Sequence, residues 1–207
     1  MQYTKIREQV ETLSGDRRVD LICVSKYHTI DEIREVYDLG QRAFGENKVQ
    51  DLLLKQKELP SDIKWHLLGH LQTNKVKQIV GKVHLIHSLD SIHLAEEIQK
   101  HSEKQRIITN CLVQVNSTLL DERFGVAYEE LDDFISKVSE YKNIKLCGLM
   151  GMAPIAEDPV PYFEKLKNAF DNSKLNDGIL SMGMSGDYKE AISCGSTMVR
   201  IGRIIFE

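Results

Sequence analysis

The stretch Val19-Asp20-Leu21-Ile22-Cys23-Val24-Ser25-Lys26-Tyr27-His28 decides how this chain folds. Its apolar run predicts a short strand buried on both faces, as strands are in a parallel sheet covered by helices. Lys26 stands where that strand ends, and ligands bind at the C-terminal ends of parallel strands. Taken alone, the stretch favours an ordinary solvated lysine, because lysine is seldom buried without a partner. The alternative is an amine held for Schiff-base chemistry with an aldehyde.

The composition is that of a globular protein with enough apolar residues for one core. The 207 residues are 42% hydrophobic and 28% charged, which predicts a single domain over residues 1–207. There are 27 basic and 31 acidic residues, so the net charge is -4. No basic run is long enough to track the phosphates of a nucleic acid, and we expect no such partner.

The N-terminus and the cysteines indicate the compartment. Residues 1–5 lack the apolar segment of a signal peptide, and no apolar run approaches the roughly 20 residues of a membrane helix. Cys23, Cys111, Cys147 and Cys194 are far apart, which fits neither a zinc pattern nor a disulfide framework. We expect reduced thiols, no membrane partner and a cytoplasmic location.

Strand-like and helix-like patterns alternate along the chain. Strands are predicted over residues 19–24, 42–47, 65–71, 83–88, 111–116, 145–150, 179–184 and 198–202. Helices are predicted over residues 3–14, 31–40, 48–58, 73–80, 91–104, 127–141, 161–175 and 187–194. Thr29 is the expected cap of the second helix. This alternation predicts a single (β/α)₈ TIM barrel without a second β domain. An open doubly wound sheet is the alternative fold.

The loops after the last two predicted strands suit a phosphate group. TIM barrels commonly bind phosphate there, through N–H groups at the start of a short helix. Gly183 and Gly186 allow a close backbone approach, and the Ser185 hydroxyl can donate to an oxyanion. The same pattern is equally consistent with a capped helix after a glycine turn, without a ligand.

Arg200 lies inside the last predicted strand, where a buried guanidinium needs an acceptor. Strand alternation puts Arg200 and Gly202 on one face, with Gly202 about 7 Å nearer the strand exit. An elongated ligand can therefore have a phosphate at Gly202 and Arg203 and a polar ring atom at Arg200.

The histidines do not indicate a metal. His66 and His70 share the parity of one predicted strand, yet no third ligand follows at a suitable spacing. Hydrogen-bonded histidines are the expectation. Asp20, Asp90 and Asp187 lack the serine or histidine arrangement of nucleophilic hydrolysis. We predict neither a metal ligand nor a catalytic residue.

Eight segments resemble the pyridoxal phosphate homeostasis protein family, whose fold is similar to the N-terminal barrel domain of alanine racemase. They are residues 24–26 (VSK), 44–50 (FGENKVQ), 65–75 (WHLLGHLQTNK), 87–90 (HSLD), 114–116 (QVN), 147–150 (CGLM), 180–187 (LSMGMSGD) and 195–202 (GSTMVRIG). Each segment is weak alone, but together they run in one order through nearly the whole chain.

The resemblance implies a cofactor and a set of residues that hold it. Lys26 is expected to bind pyridoxal 5′-phosphate as a Schiff base. Ser185, Gly202 and the backbone of Arg203 are expected to hold the phosphate.

The resemblance also implies the surroundings of the cofactor ring. Arg200 is expected to face the pyridine nitrogen, where a cation keeps the nitrogen unprotonated and weakens the ring as an electron sink. Asn47 is expected beside the ring, and Met150 is expected to line its pocket.

Two features depart from the family pattern. The loop after the fifth strand usually carries a lysine shortly before its glycine, and Arg123 stands there instead. Arginine keeps the charge but cannot form an imine with a second cofactor molecule. The chain also stops at Glu207, short of the usual tail.

The leading functional hypothesis is a protein that buffers pyridoxal phosphate and delivers it to apo-enzymes, without robust turnover and as a monomer or weak dimer. Whether Lys75 or Lys77 assists the transfer stays open. One alternative is a small pyridoxal-phosphate-dependent racemase or related enzyme, with Tyr27 or His70 as a second base. Another is a barrel for some other phosphorylated metabolite, in which Lys26 supplies only a charge.

Overall fold

The computed structural model describes residues 2–117 and 124–207, which form a closed barrel of eight parallel strands in chain order. β8 pairs with both β7 and β1, so the sheet closes on itself. The strands are β1 (Asp20–Val24), β2 (Ala43–Glu46), β3 (Lys64–Leu67), β4 (Leu85–Leu89), β5 (Thr109–Gln114), β6 (Ile144–Met150), β7 (Ile179–Ser181) and β8 (Met198–Ile201). The predicted barrel is confirmed, and the open sheet is wrong. Arg123 lies outside the described residues.

Helices surround the barrel, and one of them precedes the first strand. The α-helices of the described residues are α1 (Tyr3–Ser14), α2 (Ile30–Asp38), α3 (Val49–Glu58), α4 (Val76–Ile79), α5 (Ile92–Gln105), α6 (Leu131–Val138), α7 (Val160–Asn172), α8 (Tyr188–Ser193) and α9 (Arg203–Phe206). Short 3₁₀ turns, Thr73–Lys75 and Tyr128–Glu130, precede α4 and α6.

The start of α2 shows how local sequence directs the fold. The Thr29 hydroxyl accepts the Glu32 N–H, and the Glu32 carboxylate accepts the Thr29 N–H at 2.7 Å. This reciprocal capping satisfies two N–H groups that the helix start leaves open. The predicted cap is therefore confirmed, and it fixes where the chain leaves the turn after β1.

The apolar residues divide into two layers. One layer fills the barrel interior and includes Ile22, Met150 and Met198. The other lies between the sheet and the helices and includes Cys23 and Val199. Successive residues of a strand point to opposite faces, which is why neighbours such as Ile22 and Cys23 enter different layers.

Several predicted boundaries are wrong by a few residues. β3 ends at Leu67, so His70 lies in the loop beyond the strand that holds His66. β7 ends at Ser181, and Gly183 follows with a φ of 96°, which is incompatible with an extended strand. The short helix α9 was not predicted, because four residues carry too little periodicity to be read as a helix.

Three features of the described ranges bear on function. No helix there is long and apolar enough to cross a bilayer. No group of three histidine, cysteine, aspartate or glutamate side chains within residues 2–117 and 124–207 is placed to share a metal ion. Each of the four cysteines is a free thiol.

Candidate functional site

Lys26 lies in the turn that follows β1, at the C-terminal end of the barrel. It comes two residues after Val24, the last residue of the strand, and its side chain is exposed. Lys26 Nζ lies 5.8 Å from the centroid of the Tyr27 ring. Tyr27 has a φ of 71°, a left-handed conformation that is strained for an aromatic residue. The turn thus presents the Lys26 amine at the open end of the barrel.

A buried ion pair fixes the residue before Lys26. Lys55 Nζ on α3 lies 2.5 Å from Glu46 Oε1 at the end of β2, and it donates to the Ser25 carbonyl at 2.8 Å. The Ser25 hydroxyl donates to the same Glu46 oxygen at 2.7 Å. A buried pair with these additional hydrogen bonds has little freedom to rearrange. The backbone that carries Lys26 is therefore tied to both β2 and α3.

The ends of β2 and β8 flank the Lys26 turn. Val24 of β1 is in register with Gly45 of β2. Lys26 and Asn47 each follow two residues after this pair, so the two residues lie level with each other. A Cβ atom at Gly202 would lie 2.7 Å from the Val24 carbonyl oxygen. The Gly202 backbone therefore packs directly against the end of β1, which a larger residue would prevent.

The loop after β7 meets the end of β8 at Ser185. The Gly202 N–H donates to Ser185 Oγ at 3.4 Å, and Arg203 begins α9 as the next residue. Among residues 2–117 and 124–207, a Cβ atom at Gly186 would meet nothing within 4 Å, so this loop borders open space there. Three of the predicted cofactor ligands, Ser185, Gly202 and Arg203, thus adjoin one another.

Arg200 is buried in the barrel interior, with 5% of its surface exposed. Its Nη1 donates to Ser181 Oγ at 2.7 Å, and its Nη2 donates to the Gly151 carbonyl at 3.1 Å. These are the acceptors that a buried arginine was predicted to need. Burial lowers the pKa of Arg200 to about 10, and the Asp187 carboxylate partly offsets this shift. A guanidinium has five N–H donors, so these two bonds leave others for a ligand.

Ser181 connects Arg200 to two buried histidines. Ser181 Oγ lies 3.3 Å from His87 Nδ1, and His87 Nε2 lies 2.9 Å from His66 Nδ1. Burial lowers the pKa of His66 to about 3 and holds that of His87 well below its usual range. Both imidazoles are therefore neutral at physiological pH. The prediction that His66 is a hydrogen-bonded histidine is confirmed.

Met150 ends β6 and packs in the barrel interior with Ile22 and Met198. It is in register with Ser181, the residue that accepts from Arg200. Met150 is thus close to Arg200 along the sheet, but it is almost fully buried.

The two residues considered as second bases differ in their surroundings. His70 Nδ1 lies 3.1 Å from Asp90 Oδ2, and the His70 ring stacks on Phe124 with 3.7 Å between centroids. Tyr27 is 89% exposed. His70 is therefore oriented by a carboxylate, whereas the Tyr27 side chain is almost wholly in solvent.

Two cavities are lined in part by His66 and by Ser185, respectively. One of about 480 Å³ opens at the N-terminal ends of the strands and is lined by His66, His84 and Lys64 among others. Another of about 410 Å³ lies beside α1 and α8 and is lined by Ser185 and Gly186. The hydrogen-bonded chain from Arg200 to His66 therefore reaches the cavity at the opposite end from Lys26.

The structure also contains pairs that sequence reasoning missed. The Lys55–Glu46 pair joins a helix to a strand, and the His66–His87 pair joins two strands, so neither follows from spacing along the chain. A signal for the second pair was present, because strand parity places both His66 and His87 on inward faces. The shared strand parity expected of His66 and His70 does not hold, since His70 lies outside β3.

Comparison with known proteins gives the family. The profile described as "Alanine racemase, N-terminal domain" matches residues 3–207. The pyridoxal phosphate homeostasis protein of Aquifex aeolicus is 42% identical over 200 residues, which cover 93% of this chain and 88% of the relative. The protein of that name from Schizosaccharomyces pombe is 35% identical over 210 residues, which cover 97% of this chain and 89% of the relative. The resemblance seen in the sequence is confirmed.

Solved structures agree with this assignment. PipY of Synechococcus elongatus PCC7942, solved with PLP bound, is 34% identical and superposes with a TM-score of 0.86, covering 99% of this chain and 97% of PipY. Alanine racemase of Clostridium difficile 630 superposes with a TM-score of 0.79 at 14% identity, covering 99% of this chain and 56% of the racemase. The racemase comparison shows a shared fold alone.

Proposed function

The chain belongs to the pyridoxal phosphate homeostasis protein family, and from that membership we propose that it binds pyridoxal 5′-phosphate as a Schiff base to Lys26. The observation that carries this is the fixed turn that holds Lys26, in which Ser25 is tied to Glu46 and Lys55. A lysine whose backbone is fixed loses less conformational freedom when its amine binds an aldehyde.

The phosphate group is assigned to Ser185, Gly202 and Arg203. Ser185 Oγ accepts the Gly202 N–H, so its own proton is available to a phosphate oxygen. The open space beside Gly186 leaves room for such a group. Hydroxyl and backbone N–H donors are the set that phosphate groups prefer in loops of this kind.

The pyridine nitrogen is assigned to Arg200, with Asn47 beside the ring and Met150 lining the pocket. An arginine can only donate, and a pyridine nitrogen without a proton can only accept, so the two are complementary. The bound cofactor supplies an aldehyde and an electron-withdrawing ring. Arg200 keeps the ring nitrogen unprotonated and so weakens that electron withdrawal.

A weakened electron sink favours storage and delivery over turnover. We therefore assign the protein to buffering the cofactor and supplying it to apo-enzymes, as a monomer or weak dimer. Relatives named for pyridoxal phosphate homeostasis support this role. The free thiols of the four cysteines support a cytoplasmic location.

The test is the visible absorbance of the purified protein after incubation with pyridoxal phosphate, before and after borohydride reduction. We expect a yellow protein whose reduced adduct maps to Lys26 by peptide mass. Lys26→Ala should abolish the adduct, whereas Lys48→Ala, which removes an exposed lysine at the same end of the barrel, should retain it. A protein that stays colourless and unlabelled in excess cofactor would contradict the proposal.

A second candidate function is a small racemase, and one contact favours it. The carboxylate of Asp90 orients His70 at the same end of the barrel as Lys26. An imidazole held by a carboxylate is a common general base. The two functions differ in whether bound amino acids exchange their α-proton.

A further inference from the structure

The barrel interior contains a continuous polar chain that the cofactor-binding residues do not explain. It runs from Arg200 through Ser181 and His87 to His66, with distances of 2.7, 3.3 and 2.9 Å. These four side chains are all buried. Polar groups in an apolar interior destabilise the fold unless every donor finds an acceptor. The hydrogen positions in this chain are therefore tightly constrained.

The donor and acceptor at each link follow from Arg200. A guanidinium only donates, so Ser181 Oγ must accept from Nη1. Within the described part of the chain, the other recorded partner of Ser181 Oγ is His87 Nδ1. If the Ser181 hydroxyl does not donate a hydrogen bond to His87 Nδ1, its proton is buried without an acceptor. His87 Nδ1 is therefore the acceptor, and this histidine carries its proton on Nε2.

The next link has the same direction. The His87 Nε2–H donates to His66 Nδ1 at 2.9 Å, so His66 also carries its proton on Nε2. His66 lines the cavity at the N-terminal ends of the strands, where the His84 ring lies 5.5 Å from it. Every hydrogen bond thus donates away from Arg200, and the chain ends where a polar cavity begins.

This direction matters for the charge on Arg200. When the Ser181 hydroxyl donates a hydrogen bond to His87 Nδ1, Ser181 Oγ becomes a stronger acceptor for the Arg200 guanidinium. Among the described residues, no carboxylate forms an ion pair within 4.0 Å of Arg200. The hydrogen-bonded dipoles of the chain therefore stabilise the guanidinium together with the more distant Asp187 carboxylate.

We propose that His87 is a positioning residue that acts through Ser181 to hold the Arg200 guanidinium in place and charged toward the ring nitrogen of the cofactor. This inference rests on the proposed function for its last step, because it assumes that pyridoxal phosphate is the ligand. The tautomers of the two histidines do not depend on any ligand. The chain and its consequence for the cofactor are therefore tested separately.

The first test uses the protein without cofactor. Nitrogen-15 NMR of the imidazoles should show Nδ1 as the unprotonated nitrogen in both His66 and His87, unchanged from about pH 5 to pH 8. A protonated Nδ1 on His87 would overturn the proposal, since Ser181 Oγ would then accept two hydrogen bonds and its own hydroxyl would donate none. This result does not depend on whether the protein binds pyridoxal phosphate.

The second test follows the bound cofactor. The holo-protein is titrated with pH while its visible absorbance is recorded. The midpoint of this titration should shift by about one pH unit in Ser181→Ala and in His87→Leu. His87→Asn should stay close to the wild type, because an asparagine oxygen can replace Nδ1 as the acceptor. Ser88→Ala is the matched control: Ser88 is buried on the same strand, but its hydroxyl has no hydrogen-bond partner among the described residues.

The outcomes separate the two hypotheses. Unchanged midpoints in Ser181→Ala and His87→Leu variants that still hold the cofactor would overturn the positioning role. If His87→Leu does not fold, Ser181→Ala, which removes a single oxygen, decides the question. If the wild-type protein forms no adduct at all, the proposed function fails. The proposal for His87 then fails in its last step, the contact between Arg200 and the cofactor. The NMR experiment still tests the direction of the hydrogen bonds from Arg200 to His66.

Discussion

Lys55 Nζ lies 2.5 Å from Glu46 Oε1 in a pair that is almost completely withdrawn from solvent. Lys55 Nζ also donates to the Ser25 carbonyl, and Glu46 Oε1 also accepts from the Ser25 hydroxyl. Through this pair α3 and β2 together fix the backbone next to Lys26. A residue far from Lys26 in the sequence thus helps to fix the backbone from which the Lys26 side chain extends.

Removing one partner of this pair should destabilise the fold strongly. Lys55→Met leaves the buried Glu46 carboxylate without its counter-ion, which costs about 3–5 kcal/mol in the free energy of unfolding. The double variant Lys55→Met/Glu46→Leu removes the uncompensated charge and should recover most of the loss. Urea denaturation of the three proteins measures both effects. A single variant that stays within about 0.5 kcal/mol of the wild type would contradict this account.

Two glycines near the proposed phosphate site should respond differently to alanine. Gly202→Ala places a Cβ atom 2.7 Å from the Val24 carbonyl oxygen, so it should cost about 1–3 kcal/mol and weaken cofactor retention. The Cβ atom of Gly186→Ala meets no described residue within 4 Å, so this variant should leave the free energy of unfolding nearly unchanged. Denaturation and gel filtration of the holo-proteins give the comparison. Equal effects of the two substitutions would be inconsistent with the packing at β1.

The buried histidines should make the fold sensitive to acid. In the unfolded chain a histidine has a pKa of about 6.5, whereas burial lowers the pKa of His66 to about 3 and also lowers that of His87. The unfolded state therefore binds more protons below pH 6.5, and stability falls as the pH falls from there toward 3. At pH 5 His66 should account for about 2 kcal/mol of this loss, and His87 should add to the loss in the same direction.

The pH effect is assigned by comparing variants. The difference in unfolding free energy between pH 7 and pH 5 should shrink by about 2 kcal/mol in His66→Asn. It should be unchanged in His93→Asn, because the His93 side chain is 74% exposed. If both variants keep the full difference, the acid sensitivity comes from other groups.

Relief of backbone strain should stabilise the Lys26 turn. Tyr27 has a φ of 71°, and a left-handed conformation costs a residue with a Cβ atom about 1–2 kcal/mol. Glycine avoids that cost but loses more chain entropy on folding, so Tyr27→Gly should stabilise by about 0.5–1 kcal/mol. Arg106, with a φ of 55° at the end of α5, provides the comparison through Arg106→Gly. Thermal denaturation should show both variants melting higher than the wild type.

The storage role predicts how bound amino acids behave. Holo-protein incubated with L- or D-alanine in deuterated buffer should show no steady exchange of the α-proton. Mass spectrometry of the recovered amino acid measures this directly. Sustained exchange that is lost in His70→Gln would sink the storage role and establish the racemase function instead.

The local features of the site were readable along the chain. The inward parity of Arg200 and Gly202, the glycine-rich loop at Ser185 and the lysine after β1 follow from strand periodicity and from the rule that ligands bind at strand exits. Boundaries were less predictable. β3 and β7 end earlier than their apolar runs because a glycine makes the turn after each strand. Gly183 has a φ of 96°, and a Cβ atom at Gly69 would lie 2.1 Å from the Asn47 carbonyl oxygen.

The sequence by itself determined the barrel, the family and the residues expected to meet the cofactor, since these depend on periodicity and on short motifs in a fixed order. Only the tertiary structure decided which buried polar groups meet. Lys55 reaches Glu46 from a helix, and His66 reaches His87 across two strands. Such contacts depend on how the closed barrel aligns neighbouring strands and helices, because burial forces each polar group toward whichever partner the fold brings within about 3 Å.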